Sequence, residues 1–143
     1  MSSKNADPRI SAIKEYFAKA SVGDPSLLDL FTDDFEFHYY KFGIGRGKAQ
    51  FAEFHRRGGD LIESIGWHAD RFRFIVAEND IVVEGAEFGT TKIGVSFPDN
   101  RISSGLFCSV FTFQGNLISR MYIYADPDLT SRDTPTIDVF FRE

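Results

Sequence analysis

From Phe72 to Ala125 apolar side chains recur at every second position, whereas most of the chain before Leu61 carries them three and four residues apart. A period of two is a half-buried strand, and a period near 3.6 is a helix with one buried face. Helices first and a long antiparallel meander afterwards is an α+β order, with the helices gathered on one side of the sheet. A strongly bent sheet wraps around such helices, and their shared concave side becomes a pocket. The expected architecture is three N-terminal helices packed in the concave face of a strongly curved, mostly antiparallel sheet, an α+β barrel or cone.

Punctuating residues divide the chain further. Asp7-Pro8 opens a helix, because Asp caps free amides and Pro is preorganised for the first helical position. Ile10, Ile13, Phe17 and Ala20 follow at helical spacing, and Gly23 suits a left-handed stop. Asp24-Pro25 repeats the start signal for a short second helix with Leu27, Leu28 and Phe31 inward. Phe35 to Tyr40 reads as an aromatic strand, and Gly43, Gly45 and Gly47 as a loop. Phe51, Phe54 and Leu61 mark a third helix that Gly58-Gly59 ends or kinks. Phe72, Phe74 and Val76 form a strand before the turn Glu78-Asn79-Asp80. Further strands span Ile81 to about Thr91, Leu106 to Phe113 and Leu117 to Ala125, the last two joined at Gln114-Gly115-Asn116. Pro98-Asp99-Asn100 marks a longer loop, and Asp126-Pro127 closes the meander.

At 143 residues the chain reads as one domain over 1–143, with a core at about 8–128 and a tail at 129–143. Val139-Phe140-Phe141 suggests that the tail docks. Phe is unusually frequent, 16 residues, so the core is built of flat rings that either pack fully or line a cavity. A net charge of −5 without a basic stripe speaks against nucleic acid as a partner. A lone cysteine, Cys108, allows no intramolecular disulfide, and the scattered His38, His55 and His68 lack the spacing of a zinc site. Met1 to Ala6 has no apolar core of a signal peptide, and no apolar run nears the roughly 20 residues that span a bilayer. The expectation is a cytoplasmic protein with no membrane partner, no metal and no organic cofactor.

Three stretches carry a resemblance. Tyr16 to Asp24 leads into Leu30-Phe31-Thr32-Asp33-Asp34-Phe35. Gly45-Arg46-Gly47-Lys48 opens the helix with Phe51 and Phe54. Phe111 to Ile118 runs on to Tyr124-Ala125-Asp126-Pro127. In this order and spacing the chain resembles the SnoaL-like branch of the nuclear transport factor 2-like superfamily, from Ile10 to about Asp128. The resemblance implies a cone fold around a pocket for a small hydrophobic molecule. It leaves the chemistry open, because one fold hosts many functions.

Ketosteroid isomerases of that superfamily use an aspartate base, with a tyrosine and a protonated aspartic acid as oxyanion donors. Tyr16 falls at the tyrosine position and is either that donor or a core tyrosine. The base position holds Tyr39 and the second acid position Ser109, so this route lacks two of its three groups. His55 falls where a supporting aromatic residue sits. It is either a surface histidine beside Arg56-Arg57 or a general acid or base hydrogen-bonded to Tyr16. Asp126 stands where SnoaL-like cyclases and the similar limonene epoxide hydrolases carry a catalytic acid, and otherwise ends a strand in an Asp-Pro turn. The epoxide hydrolase arginine and aspartate positions hold Gly85 and Glu87. Strand parity sends one of Glu84 and Glu87 outward, and Arg120 is a candidate cation on a face shared with residues 122, 124 and 126. Asp126, His55, Tyr16 and Glu87 are thus the catalytic candidates. Tyr39, Phe107, Ser109, Phe111, Arg120 and Tyr124 are the candidate substrate contacts. Leu106, Cys108, Val110 and Thr112, together with Met121 and Ile123, are expected on an apolar outer face that a second copy covers in a homodimer. An acid–base isomerase, cyclase or hydrolase acting on a hydrophobic carbonyl or polyketide-like compound fits these residues. So does a non-catalytic dimeric binding or association module.

Overall fold

The computed structural model describes residues 7–98 and 105–125. Helix α1 (Pro8–Val22) begins where Asp7 accepts the Arg9 amide at 2.9 Å and ends at Gly23, in the left-handed region at φ 68°. Its buried stripe is Ile13, Tyr16, Phe17 and Ala20. Asp24 caps a 3-10 helix, Pro25–Leu30, through the Ser26 amide. Strand β1 (Phe31–Tyr39) follows without a loop, starting four residues earlier than the aromatic run at Phe35 suggests.

The glycine run expected as a loop is instead strand β2 (Gly43–Arg46), antiparallel to β1 with Gly45 opposite Phe37. A Cβ on Gly45 would lie 2.2 Å from Phe37 Cε1, so the missing side chain is what lets the ring lie flat beneath this strand. Helix α2 (Gly47–Gly58) then packs Phe51 inward. Leu61, expected on that helix, lies beyond its end and is exposed. Strands β3 (Ile62–Trp67), which period reading missed, β4 (Arg73–Ala77), β5 (Asp80–Thr91), β6 (Ser96–Phe97), β7 (Leu106–Gln114) and β8 (Leu117–Tyr124) complete the sheet.

The strand order is β2-β1-β8-β7-β5-β3, with β4 and β6 also on β5. Every pairing is antiparallel except β1 with β8. The first half of β5 lies between β4 and β7, and its second half between β3 and β6. This change of neighbours along one long strand curves the sheet around α1, the 3-10 helix and α2. The architecture is the expected α+β cone.

Alternation sends Ile81, Val83 and Glu87 of β5 inward, with Phe107, Ser109, Phe111 and Phe113 of β7. Strand β8 departs from simple alternation. Phe113 pairs with Ile118 but Thr112 with Arg120, so Ser119 is an extra residue. Such a bulge reverses side-chain parity beyond it. Met121, expected outward, is therefore buried opposite Phe111, and Ile123 lies opposite the inward Ser109. Arg120, Tyr122 and Tyr124 turn to the convex face, opposite Thr112, Val110 and Cys108.

Candidate functional site

Two groups of rings fill the inside of the cone. Tyr16 lies against Phe17, Phe31, Phe51 and Phe111, at centroid distances of 5.0, 6.1, 6.3 and 5.8 Å. Phe17, one residue on, packs against Trp67, Phe72 and Phe107 at 5.1, 5.0 and 5.4 Å. The second group adjoins a carboxyl through Trp67. Glu87 is on the concave side of β5 and only 8% exposed, while Glu84 points outward and pairs with Arg73 at 2.7 Å. Parity thus resolves the two acids in favour of Glu87.

Glu87 lies directly opposite Trp67 across the β3–β5 pair. Its backbone N–H donates not to β3 but to the Gly105 carbonyl, at 2.7 Å, while His68 N–H donates to the Ala86 carbonyl. Residues facing each other without exchanging backbone hydrogen bonds bring their side chains closest. Trp67 Nε1 accordingly donates to Glu87 Oε2 at 3.1 Å. The next inward position on β5 is Gly85, where a Cβ would lie 2.6 Å from Phe72 Cδ1, so glycine admits the rings beside the acid. Burial among these rings pushes the Glu87 pKa up to about 7, against the weaker opposing pull of the Trp67 hydrogen bond.

Burial also raises the Tyr16 hydroxyl pKa, and the nearby Tyr39 phenol adds to the effect. Tyr16 is therefore a protonated donor throughout the ordinary pH range. Tyr39 is half-buried and meets Phe54 and Phe42 at 5.8 and 4.7 Å. Phe107, Ser109 and Phe111 are buried on the inner wall, with one hydroxyl between two rings.

His55 sits elsewhere. The Phe51 ring touches both His55 and Tyr16, at 5.2 and 6.3 Å, but the hydrogen bond that the resemblance implied between them is not made. His55 opens on a cleft of about 290 Å³ between the 3-10 helix and α2, lined also by Leu27 and Leu28. Burial lowers its pKa. Arg120 and Tyr124, read from unbroken alternation as pocket residues, are on the convex face because of the bulge at Ser119. The Arg120 guanidinium lies 4.9 Å over the Tyr122 ring there. Asp126 and the Val139-Phe140-Phe141 segment lie outside the described residues.

The structure therefore brings Glu87, Ser109, Phe107, Phe111 and Tyr16 to one interior and keeps His55, Arg120 and Tyr124 out of it. Trp67 was missed by sequence reading. The available signal was the chain's single tryptophan, whose N–H needs a partner once buried.

Solved structures share this architecture. TerC, co-crystallised with polyporic acid, aligns at TM-score 0.71 and 22% identity over 84% of this chain and 92% of that one. A candidate polyketide cyclase from Xanthomonas campestris pv. campestris aligns at 0.68 and 16%, over 83% and 90%. A protein of ketosteroid isomerase-like fold from Catenulispora acidiphila, in complex with trimethylamine, aligns at 0.64 and 16%, over 80% and 85%. No curated protein sequence matches the chain significantly. The profile of the SnoaL-like domain matches residues 13–121, from the buried Ile13 of α1 to the buried Met121 of β8. Because that match runs through every element that builds the cone, the chain belongs to the SnoaL-like domain family.

Proposed function

We propose that this protein binds a small, flat, largely apolar carbonyl or polyketide-like compound inside the cone and performs acid–base chemistry on it. The observation that carries this reading is Glu87, a buried carboxyl held by the Trp67 indole and poised near neutrality. Such a group takes and returns a proton with little mismatch at working pH. In the proposed step Glu87 breaks a C–H bond beside the ligand carbonyl, and the electron pair moves to the carbonyl oxygen. Tyr16 donates a hydrogen bond to that oxygen, with Ser109 on the same wall. Glu87 then gives the proton back at another atom, which isomerises the compound or follows ring closure. Resemblance to a candidate polyketide cyclase and to the polyporic acid-bound TerC supports the ligand class.

The rings also favour a second reading. Phe17, Phe72 and Phe107 touch one another, as do Phe31, Phe35 and Phe51, so the protein's own side chains occupy much of the cone. A binding or association module needs no reaction space. Both readings pair two copies of the chain through the convex face.

Native mass spectrometry of the purified protein, followed by thermal-shift screening, tests the proposal. Steroids, flavonoids and polyketide-like aromatics should stabilise it. Stabilisation confined to nucleotides or sugar phosphates overturns the ligand class. A Glu87→Gln variant should bind the same compounds and lose turnover by at least about 10²-fold. Full turnover in that variant removes Glu87 from the chemistry, and binding without turnover in the wild type leaves the module as the function.

A further inference from the structure

We propose that Trp67 is the positioning residue of this site: its indole N–H holds Oε2 of Glu87 and leaves Oε1 as the oxygen that exchanges the proton. This deepens the acid–base reading and rests on it. A carboxyl on a strand turns freely about its last bonds unless something fixes it. Here the fixing group comes from the neighbouring strand, at the close-approach position opposite Glu87, and its N–H reaches Oε2 at 3.1 Å. Oε1 receives no hydrogen bond among the described residues.

The holder is itself held. The indole packs against Phe17 at 5.1 Å, and Phe17 is gripped by Phe72 and Phe107. The carboxylate end is braced through its backbone by the Gly105 carbonyl at 2.7 Å. Gly105 sits at φ 74°, and a Cβ there would lie 2.7 Å from the Glu87 carbonyl oxygen. Both ends of the Trp67–Glu87 contact are thus fixed, so the ligand meets one defined oxygen.

The same bond sets proton affinity. An N–H donor stabilises the charged carboxylate and opposes the effect of burial. The rings packed against Trp67 and beside Gly85 are Phe17, Phe72 and Phe107, none of which titrates. His68 lies against Phe88, at 4.6 Å, and both neighbour the pair in sequence with opposite strand parity. Tyr16 remains protonated over this range.

Trp67 is the one tryptophan of this chain, so the chain reports on this contact without labels. Its emission should shift with a midpoint near pH 7 and lose that shift in Glu87→Gln. In Trp67→Phe, which keeps a ring against Phe17, the Glu87 carboxyl followed by carbon-13 NMR should titrate about one unit higher. The pH–rate profile should move with it. Emission that is flat from about pH 5 to 9 in the folded protein overturns the proposal, as does an unchanged Glu87 midpoint in Trp67→Phe. Should Trp67→Phe fail to fold, the wild-type and Glu87→Gln emission curves decide. Coupled titration with full turnover in Glu87→Gln upholds Trp67 as the holder of the carboxyl and removes only the catalytic role of Glu87.

Discussion

A carboxyl that folding moves into an aromatic interior makes stability depend on pH, and Glu87 fixes the sign of that dependence. Its native pKa of about 7 lies above the value near 4.5 of a free carboxyl, so the native state holds the proton more tightly. The favourable contribution is complete at acid pH, below the unfolded value, and disappears as pH rises through about 7. The window is worth about 3 kcal/mol. Glu87→Gln should therefore flatten the fall in stability between acid and alkaline pH and exceed the wild type above about pH 8. Urea unfolding at two pH values checks this, and parallel curves for the two proteins would refute it. Tyr16 acts differently. Its hydroxyl is a donor, so Tyr16→Phe should cost about 10²-fold in turnover with a ligand found by screening. Single-turnover kinetics measures that loss, and an unchanged rate removes Tyr16 from the mechanism.

Individual elements stand on their termini and on close approaches. The cap of α1 is one side chain, Asp7 on the Arg9 amide, and Asp7→Ala should destabilise the fold by about 1 kcal/mol. Strand β2 depends on an absent side chain. Gly45→Ala would drive a methyl into the Phe37 ring, which is buried against Phe51 and Phe54. Overpacking of this kind costs about 1–3 kcal/mol. Urea midpoints of the two variants read both effects, and a neutral Gly45→Ala would mean that β2 moves away from β1 without cost. The Gly43–Gly47 run shows why strand β2 was illegible. Glycines signal a loop to any local reading, and only the ring that they cover, eight positions earlier in the chain, makes a strand of them.

At the scale of the whole molecule, the convex face is striped. Ile75, Val82, Val110, Tyr122, His38 and Ile44 form one row across six strands. A polar row, Asp80, Thr112, Arg120, Glu36 and Arg46, runs beside it, and Arg73 and Glu84 pair on its other side. An apolar stripe bounded by charges suits isologous pairing of two sheets. The wild type should sediment as a dimer at micromolar concentration, and Val110→Asp should yield a folded monomer with an unchanged far-ultraviolet spectrum. A wild-type monomer refutes the dimer.

The sequence by itself determined the class of fold, the first helix with its cap and stop, the final hairpin and the inward face of β7. These follow from local physics: hydrophobic period, capping side chains and turn residues act over a few positions. Period two also established that Glu84 and Glu87 face opposite ways, though not which one faces in. Tertiary structure decided the rest. The bulge at Ser119 reversed the parity of β8, burying Met121 and removing Arg120 and Tyr124 from the interior. The register of β3 on β5 brought Trp67 to Glu87 across 20 residues of chain. Neither event has a local signature, because a bulge and a register are fixed by what the neighbouring strand offers. The acidity of Glu87 likewise belongs to its burial in the fold and not to the residue.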